Sequence, residues 1–262
     1  MSSLKPIFKW SGGKSDEISQ IKPFIPEFEK YVEPFVGGGA LYWHLRPANA
    51  HINDLHPGAV ALYRTVKAGG MRGIYDFCQE HPNEEKTYYE VRKKEGTDDF
   101  SVAARFYYLR KTCFRGMLRY NKKKKFNIPF GRYKNYNNEN LKNPEYEKTM
   151  RGTTITQTDF SEVFAANDDE NSFIFLDPPY FCAFKNYGFC NFGEEEHVKL
   201  AECFHNSKSK CMIVIGDHPR VRELYSDHIK HSYEKKYRFK LHSGRVGSDI
   251  NTNHLVICNY DV

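Results

Sequence analysis

The sequence predicts an α/β fold: a doubly wound, largely parallel sheet interrupted by a helical insertion that carries a β-hairpin. Three observations lead there. Short apolar stretches alternate with helical periodicity, at 30–36 (KYVEPFV), 50–54 (AHIND), 153–156 (TTIT), 172–176 (SFIFL) and 211–215 (CMIVI). Two of them run into sharp turns, Gly37-Gly38-Gly39 and Asp177-Pro178-Pro179-Tyr180. The long span between the second and third has helical periodicity and then a basic, turn-rich stretch, with no strand-helix alternation.

The elements follow in order. Residues 6–14 (PIFKWSGGK) read as an extended start and a Gly-Gly turn, with an amphipathic helix from about Ser15 that uses Ile18 and Ile21 and ends at Pro23 and Pro26. The strand 30–36 feeds the glycine turn, and Ala40-Leu41-Tyr42-Trp43-His44-Leu45 begins a helix. The stretch 59–115 reads as helical, with Leu62, Tyr63 and Val66 on one face and Phe106, Leu109, Cys113 and Phe114 recurring later. Residues 117–136 alternate and turn, which predicts a β-hairpin with the lysine run at its tip. The Asn-rich 137–150 reads as a return linker. Beyond the strand 172–176 come a helix from about Glu194, the strand 211–215, and two strands at 232–241 and 254–260. The expected division is a catalytic unit of 1–57 and 146–262 around an insertion of 58–145.

Composition narrows the class. The 262 residues allow one large domain or one domain with an insertion, and 40% hydrophobic with 27% charged residues is ordinary for a soluble protein. No apolar run approaches the roughly 18 residues of a membrane span, and the N-terminus does not resemble a signal peptide. Seven cysteines without C-x-x-C spacing argue against a disulfide framework or a cysteine zinc site. A reducing, cytoplasmic setting is expected, with no metal and no membrane partner. The net charge of +6 is uneven: Arg105 to Lys134 holds eleven Lys or Arg and no acid, so the remainder carries −5. Such an island is an electrostatic footprint for a polyanion.

Two motifs carry chemistry. Glycines at the carboxyl end of a strand allow a tight turn and a close approach of backbone to ligand, and Asp54 at the end of the next strand can accept two hydrogen bonds from a ribose diol. A nucleoside-containing cofactor is expected; G-x-G-x-x-G is absent, which disfavours a dinucleotide. At the sheet's carboxyl edge, Asp177-Pro178-Pro179-Tyr180 offers a carboxylate, a rigid carbonyl and an aromatic face. An exocyclic amine conjugated to a base is a poor nucleophile. Two acceptors, the Asp177 side chain and the Pro178 carbonyl, can hold its hydrogens and localise its lone pair, while Tyr180 stacks on the base. In the basic stretch, Arg119-Tyr120-Asn121 followed by Lys122, Lys123, Lys124 and Lys125 mixes phosphate-binding cations with an aromatic that can wedge into a base stack.

Together these residues resemble the Dam-type, α-class DNA adenine-N6 methyltransferases. Phe8 to Lys14 (FKWSGGK) is similar to the family's N-terminal cofactor motif, with Ser11 where Ala is usual. Glu33 to Gly39 (EPFVGGG) is similar to its glycine motif. Arg119 to Asn121 and Phe126 to Tyr133 (FNIPFGRY) resemble its recognition hairpin, Asp177 to Tyr180 its catalytic tetrapeptide, and His254 to Tyr260 its closing strand, with His254 where an acid is common. The resemblance runs along nearly the whole chain. It implies a Rossmann-like sheet using S-adenosylmethionine to methylate an adenine flipped out of double-stranded DNA, with a GATC-like site as the default. Asp177, Pro178 and Tyr180 would be catalytic. Trp10, Lys14, Glu33, Phe35, Gly37, Gly38, Gly39, Asp54, Asp159, Phe160 and Asp177 would line the cofactor site. Lys9, Arg119, Tyr120, Asn121, Lys122 to Lys125 and Arg132 would meet DNA, with Tyr120 and Asn121 at the flipped base. Residues 181–192, including Tyr187 and Phe192, would form a lid over it. A restriction-modification role, and a monomer or DNA-dependent dimer, fit this reading. Rival readings are the same chemistry on cytosine N4 or on RNA, and a DNA-binding module without catalysis. A zinc deaminase lacks its H-x-E and P-C-x-x-C pattern here.

Overall fold

Along each central strand, successive side chains divide between two helical layers. Tyr31, Phe173, Phe175, Met212 and Val214 face one layer; Val32, Ile174, Leu176, Ile213 and Ile215 face the other. This is the period-2 geometry of a strand buried on both sides, and it accounts for the continuous apolar runs of the sequence. The computed structural model describes residues 3–121, 123–181, 192–237 and 250–262.

Among these residues seven strands form one sheet: β1 (Lys30–Glu33), β2 (Ala50–Asn53), β3 (Thr153–Thr156), β4 (Ser172–Leu176), β5 (Lys210–Gly216), β6 (Ile229–Tyr237) and β7 (Ile250–Cys258). Their order is β3-β2-β1-β4-β5-β7-β6, with β1 to β5 mutually parallel and β7 antiparallel between β5 and β6. The mixed, mostly parallel sheet agrees with the expected Rossmann-like class. Succession leaves β1 toward β2 and β3 on one side and resumes at β4 on the other. Their junction is the topological switch point where open α/β sheets bind ligands.

The helices are α1 (Ile18–Ile21), α2 (Ala40–Leu45), α3 (Pro57–Lys67), α4 (Met71–Glu80), α5 (Glu85–Lys93), α6 (Asp99–Thr112), α7 (Glu145–Met150), α8 (Phe160–Ala165), α9 (Glu194–Asn206) and α10 (Pro219–Leu224). Residues of α8, α9 and α10 cover one face of the sheet; residues of α2, α3, α4, α6 and α7 pack on the other. The helical stretch expected over 59–115 is therefore four helices. Gly69 (φ 81°) with Gly70, Pro82 and Gly96 lie at the breaks, where helix propagation is weakest. The first helix is shorter than expected, a single turn preceded by a 3₁₀ turn at Lys14–Asp16.

The polar stretch 137–150 is not a plain linker. Asn137 and Asn143 accept from nearby backbone N–H groups and set up a 3₁₀ turn and α7, whose Tyr146 and Met150 are buried; Tyr146 meets Trp43 edge-on at 5.0 Å. Nor do the helices of 58–145 have a core wholly their own. Leu62, Tyr63, Met71, Ile74, Phe106 and Tyr107 share one apolar cluster with β1, β2 and β4. A separate cluster joins α5, the end of α6 and the basic stretch through Tyr88, Val91, Leu109, Phe126 and Ile128. There the expected hairpin has antiparallel bridges at Cys113↔Phe130 and Tyr120↔Phe126. The tail strands sit a few residues earlier than 232–241 and 254–260, because β6 and β7 pair from Ile229↔Ile257 onward. The described cysteines, 78, 113, 203, 211 and 258, are free thiols. No helix among the described residues is long and apolar enough to cross a membrane.

The turn before β3 supplies a test of this packing. A Cβ on Gly152 would lie 1.9 Å from the Ala48 carbonyl oxygen, in backbone held by the Ala50 N–H bond to the Gly152 carbonyl. Gly152→Ala is expected to destabilise the protein by about 1–3 kcal/mol, as overpacking does. Thermal unfolding checks it, and an unchanged midpoint would show that this turn is not rigid.

Candidate active site

At the switch point a cavity of about 580 Å³ opens beside the ends of β1, β2 and β4. Its back is the glycine turn. Gly37 (φ 46°) and Gly39 (φ 65°) adopt left-handed backbone. A Cβ on Gly37 would come within 2.5 Å of the Trp10 indole nitrogen, so glycine lets Trp10 close over the turn. The Tyr63 hydroxyl donates to the Gly37 carbonyl at 2.9 Å, and the Gly37 N–H donates to Asp54 Oδ2 at 2.8 Å. Asp54 Oδ1 accepts from the His56 N–H at 2.8 Å. Each carboxylate oxygen thus keeps lone-pair capacity toward the cavity. Burial pushes the Asp54 carboxyl up to about 6, against the lowering effect of those N–H groups.

Asn53, buried at the end of β2, ties the loops of three strands together. Its Nδ2 donates to the Pro34 and Thr158 carbonyls, both at 3.0 Å, and its Oδ1 accepts from Thr156 Oγ1 and Thr158 N. That brings Asp159 and Phe160 to the cavity beside Phe35. Asp159 caps α8 through Ser161 and pairs with Lys199 Nζ at 2.8 Å. The rings of Phe35, Phe160 and Phe192 pack around one another at 5.4–5.9 Å. Asn53 was not singled out from sequence; an Asn preceding the strand-end acid was the available signal.

On the opposite side, Lys14 is only 2% exposed. Its ammonium pairs with Asp177 Oδ1, donates to the Tyr180 hydroxyl at 2.8 Å and reaches the Gly12 carbonyl at 3.3 Å. Burial raises the Asp177 carboxyl above its ordinary range even though the Lys14 charge opposes the rise. Glu33, at the end of β1, is raised well above the carboxylate range by burial, despite a 2.9 Å hydrogen bond from the Tyr31 hydroxyl and with the Asp177 and Asp54 charges adding to the rise. The structure therefore brings together Trp10, Lys14, Glu33, Phe35, Gly37, Gly38, Gly39, Asp54, Asp159, Phe160, Asp177, Pro178 and Tyr180 around one cavity. No group of three potential metal ligands occurs among the described residues.

The basic stretch is more differentiated than its charge count suggests. Arg105 donates to the Val91 and Arg92 carbonyls, and Arg110 is buried against the Lys9 carbonyl; these two cations serve the fold. Lys125 pairs with Glu95 at 3.4 Å and Arg132 with Glu85 at 3.3 Å, and Arg119 donates to Asn127 at 2.9 Å. Asn121 closes the hairpin turn, its Oδ1 accepting from Lys123 N and Lys125 N. Tyr120 turns inward: its hydroxyl is 2.7 Å from His56 Nε2, while His56 Nδ1 accepts from Ala59 N. Burial, with the Arg110 charge adding, holds His56 down at about 3, so the imidazole is neutral. The exposed large apolar side chains of this face are Phe114, Met117 and Tyr133, at 38%, 41% and 37%, none of them singled out from sequence as a DNA contact. Lys123 and Lys124 are exposed in the turn, and Lys9 is exposed beside Gly116 and Arg110. Lys122 and the interior of the expected lid, 182–191 with Tyr187, lie outside the described residues.

Residues 10–241 match the model of the D12 class N6 adenine-specific DNA methyltransferases. The chain is 52% identical, over 98% of its length and all of the relative's, to the type II methyltransferase M.CviBI of Paramecium bursaria Chlorella virus NC1A. It is 32% identical to M.MjaIII of Methanocaldococcus jannaschii, covering 77% and 79% of the two chains, and 29% identical to a DNA adenine methylase of Vibrio cholerae, covering 86% of each. A glycine turn, a strand-end acid and an Asp-Pro-Pro-Tyr edge stand around one cavity, and the chain belongs to the D12 class of N6 adenine-specific DNA methyltransferases. It is a DNA methyltransferase specific for adenine, which sets aside the cytosine, RNA and non-catalytic readings.

Proposed function

We propose that the protein transfers a methyl group from S-adenosylmethionine to the N6 of an adenine flipped out of double-stranded DNA, at a GATC-like site. One observation carries the reading: the Asp177 carboxylate and the Tyr180 hydroxyl share the buried Lys14 ammonium on the wall of a cavity whose other wall is the glycine turn and Asp54.

The residues fit the cofactor. Five acidic side chains, Glu33, Asp54, Asp159, Asp177 and Glu196, line the cavity against Lys14, the one Lys or Arg among the described lining residues, which suits a ligand that carries positive charge. Asp54 would hold its ribose, Phe35 and the Gly37–Gly39 turn its methionine part, and Asp159 with Phe160 its adenine. Trp10 closes the turn, and Glu33 borders the same end. When bound, S-adenosylmethionine supplies an electrophilic methyl on a sulfonium. Asp177 and the Pro178 carbonyl accept the two amino hydrogens of the target adenine, drawing the nitrogen toward tetrahedral geometry, while Tyr180 fixes the base plane. Holding the reacting groups this way contributes several kcal/mol, a part of the about 7–11 kcal/mol that orientation can supply. The raised proton affinity of Asp177 suits it to take the proton the methylated nitrogen sheds.

We assign DNA recognition to residues 58–145, with Arg119, Lys123 to Lys125 and Arg132, joined by Lys9 from the N-terminal segment, as the phosphate-binding cations; Lys122 is assigned with them from the sequence alone. We place the group that enters the stack at Phe114 and Arg115 in preference to Tyr120 and Asn121. Phe114 is exposed, and Arg115 beside it sits at φ 55° with its guanidinium 5.4 Å from the ring, whereas Tyr120 and Asn121 bond inward and within the turn. Strained backbone of this kind concentrates at functional positions.

Asp177→Ala is expected to abolish methyl transfer in a tritium assay while DNA binding persists; retained transfer would refute the role. Phe114→Ala is expected to weaken the fluorescence of 2-aminopurine placed at the target position far more than Tyr120→Phe does, and the reverse order would return the wedge to Tyr120. Because only ionised Asp54 can accept from both hydroxyls, cofactor affinity should rise with pH through about 6 and level off above it. Calorimetry at pH 5 should find binding about tenfold weaker than at pH 8, and Asp54→Asn should flatten the profile. An already flat wild-type profile would remove Asp54 from the ribose site.

A further inference from the structure

Against Tyr180, and outside the lining of the cavity, lies a buried ionic cluster that the methyl-transfer step does not use. Glu17, in the turn after Lys14, is 2% exposed and takes three donors. His254 Nδ1 lies 2.6 Å from Oε2, the Tyr233 hydroxyl donates to Oε2 at 2.7 Å, and Lys235 Nζ pairs with Oε1 at 3.1 Å. His254 is fully buried on β7, opposite Tyr233 of β6 and Gly216 of β5. Burial alone would raise the Glu17 carboxyl; the His254 hydrogen bond, the Lys14 charge and the Tyr233 hydroxyl outweigh it and bring it down to about 2. Glu17 is therefore an anion at any working pH.

The cluster touches the catalytic wall at two points. The His254 ring meets the Tyr180 ring edge-on, with centroids 5.4 Å apart and planes at 87°, while Gly216 lies against another part of the same ring, where a Cβ would stand 3.4 Å from it. Glu17 is also one short turn from Lys14, its N–H bonded to the Lys14 carbonyl at 2.9 Å. A pull on Glu17 is thereby a pull on the ammonium that holds Asp177 and the Tyr180 hydroxyl. Buried charges cost desolvation, and apolar residues in such places are often no less stable, so position and not stability is the reason for charge here.

We propose that Glu17 and His254 act as one positioning unit that sets both the plane of Tyr180, through the imidazole edge, and the reach of Lys14, through the turn. The proposal rests on the assignment of Tyr180 and Asp177 to the target base. It makes Glu17 and His254 determinants of the methyl-transfer step, with little effect on cofactor or DNA affinity.

The test uses the full chain with Glu17→Gln, His254→Asn and the double variant, in single-turnover transfer at saturating DNA and S-adenosylmethionine, normalised to the active fraction. Cofactor binding is measured separately by calorimetry. Each single variant should lower the transfer rate about tenfold or more, the scale expected when reacting groups are misplaced by a fraction of an ångström, with cofactor affinity within about twofold. The double variant should be no slower than the worse single one, as for residues that act through one another. Tyr233→Phe, which keeps the ring and removes the hydroxyl that donates to Glu17, should show a smaller loss in the same direction and serves if the others fail to fold. Wild-type transfer rates in the folded variants, losses that multiply in the double variant, or loss of cofactor affinity in step with rate would each overturn the proposal. Asp177→Ala, run alongside, separates the two readings. An inactive Asp177→Ala with unaffected Glu17 and His254 variants rejects only the positioning unit, whereas an active Asp177→Ala rejects the assignment beneath it.

Discussion

A carboxylate stripped of most of its water and steadied by one ammonium governs this structure. Asp177 stands at the end of a fully buried strand, and Lys14 reaches it from the other end of the chain. Removing one partner of such a buried pair typically costs about 3–5 kcal/mol, because the other charge is left without compensation. The folded chain is thus committed to bringing its first turn against the carboxyl edge of the sheet. The arrangement of Trp10 over Gly37 and of Glu17 against β6 and β7 belongs to the same docking.

Charge is sorted by depth. Acids gather inside, at Glu33, Asp54 and Asp177, where burial raises the proton affinity of each. Cations gather outside on the hairpin and its surroundings, where Glu95 and Glu85 pair with two of them, Lys125 and Arg132. Salt therefore acts mainly on the outer set, since exposed charges are screened far more than buried ones.

The sheet and the two motif turns were legible in the sequence because a doubly buried strand has few alternatives to a continuous apolar run, and because Gly37 to Gly39 and Asp177 to Tyr180 interrupt such runs abruptly. Less legible were features decided by distant partners. The polar run 137–150 conceals α7, whose Tyr146 is drawn in by Trp43. A tally of cations could not distinguish Arg110, buried on the Lys9 carbonyl, from those facing outward. Tyr120 sits in a basic aromatic stretch, yet its hydroxyl is claimed by His56 from α3's cap, a contact that local pattern does not reveal. Glu17 likewise looks like a surface acid until β6 and β7 fold over it.

The shared apolar cluster has an implication for how such enzymes can change. Leu62, Tyr63, Phe106 and Tyr107 belong as much to the sheet as to the helices they sit on, so the segment bearing the hairpin cannot be exchanged between relatives as a cassette without reopening the main core. The smaller cluster under Tyr88, Val91 and Phe126 meets that core through Phe77, Leu118 and Tyr136, which pack against both. Rebuilding the hairpin's own packing is therefore felt, through those three side chains, as far in as the sheet.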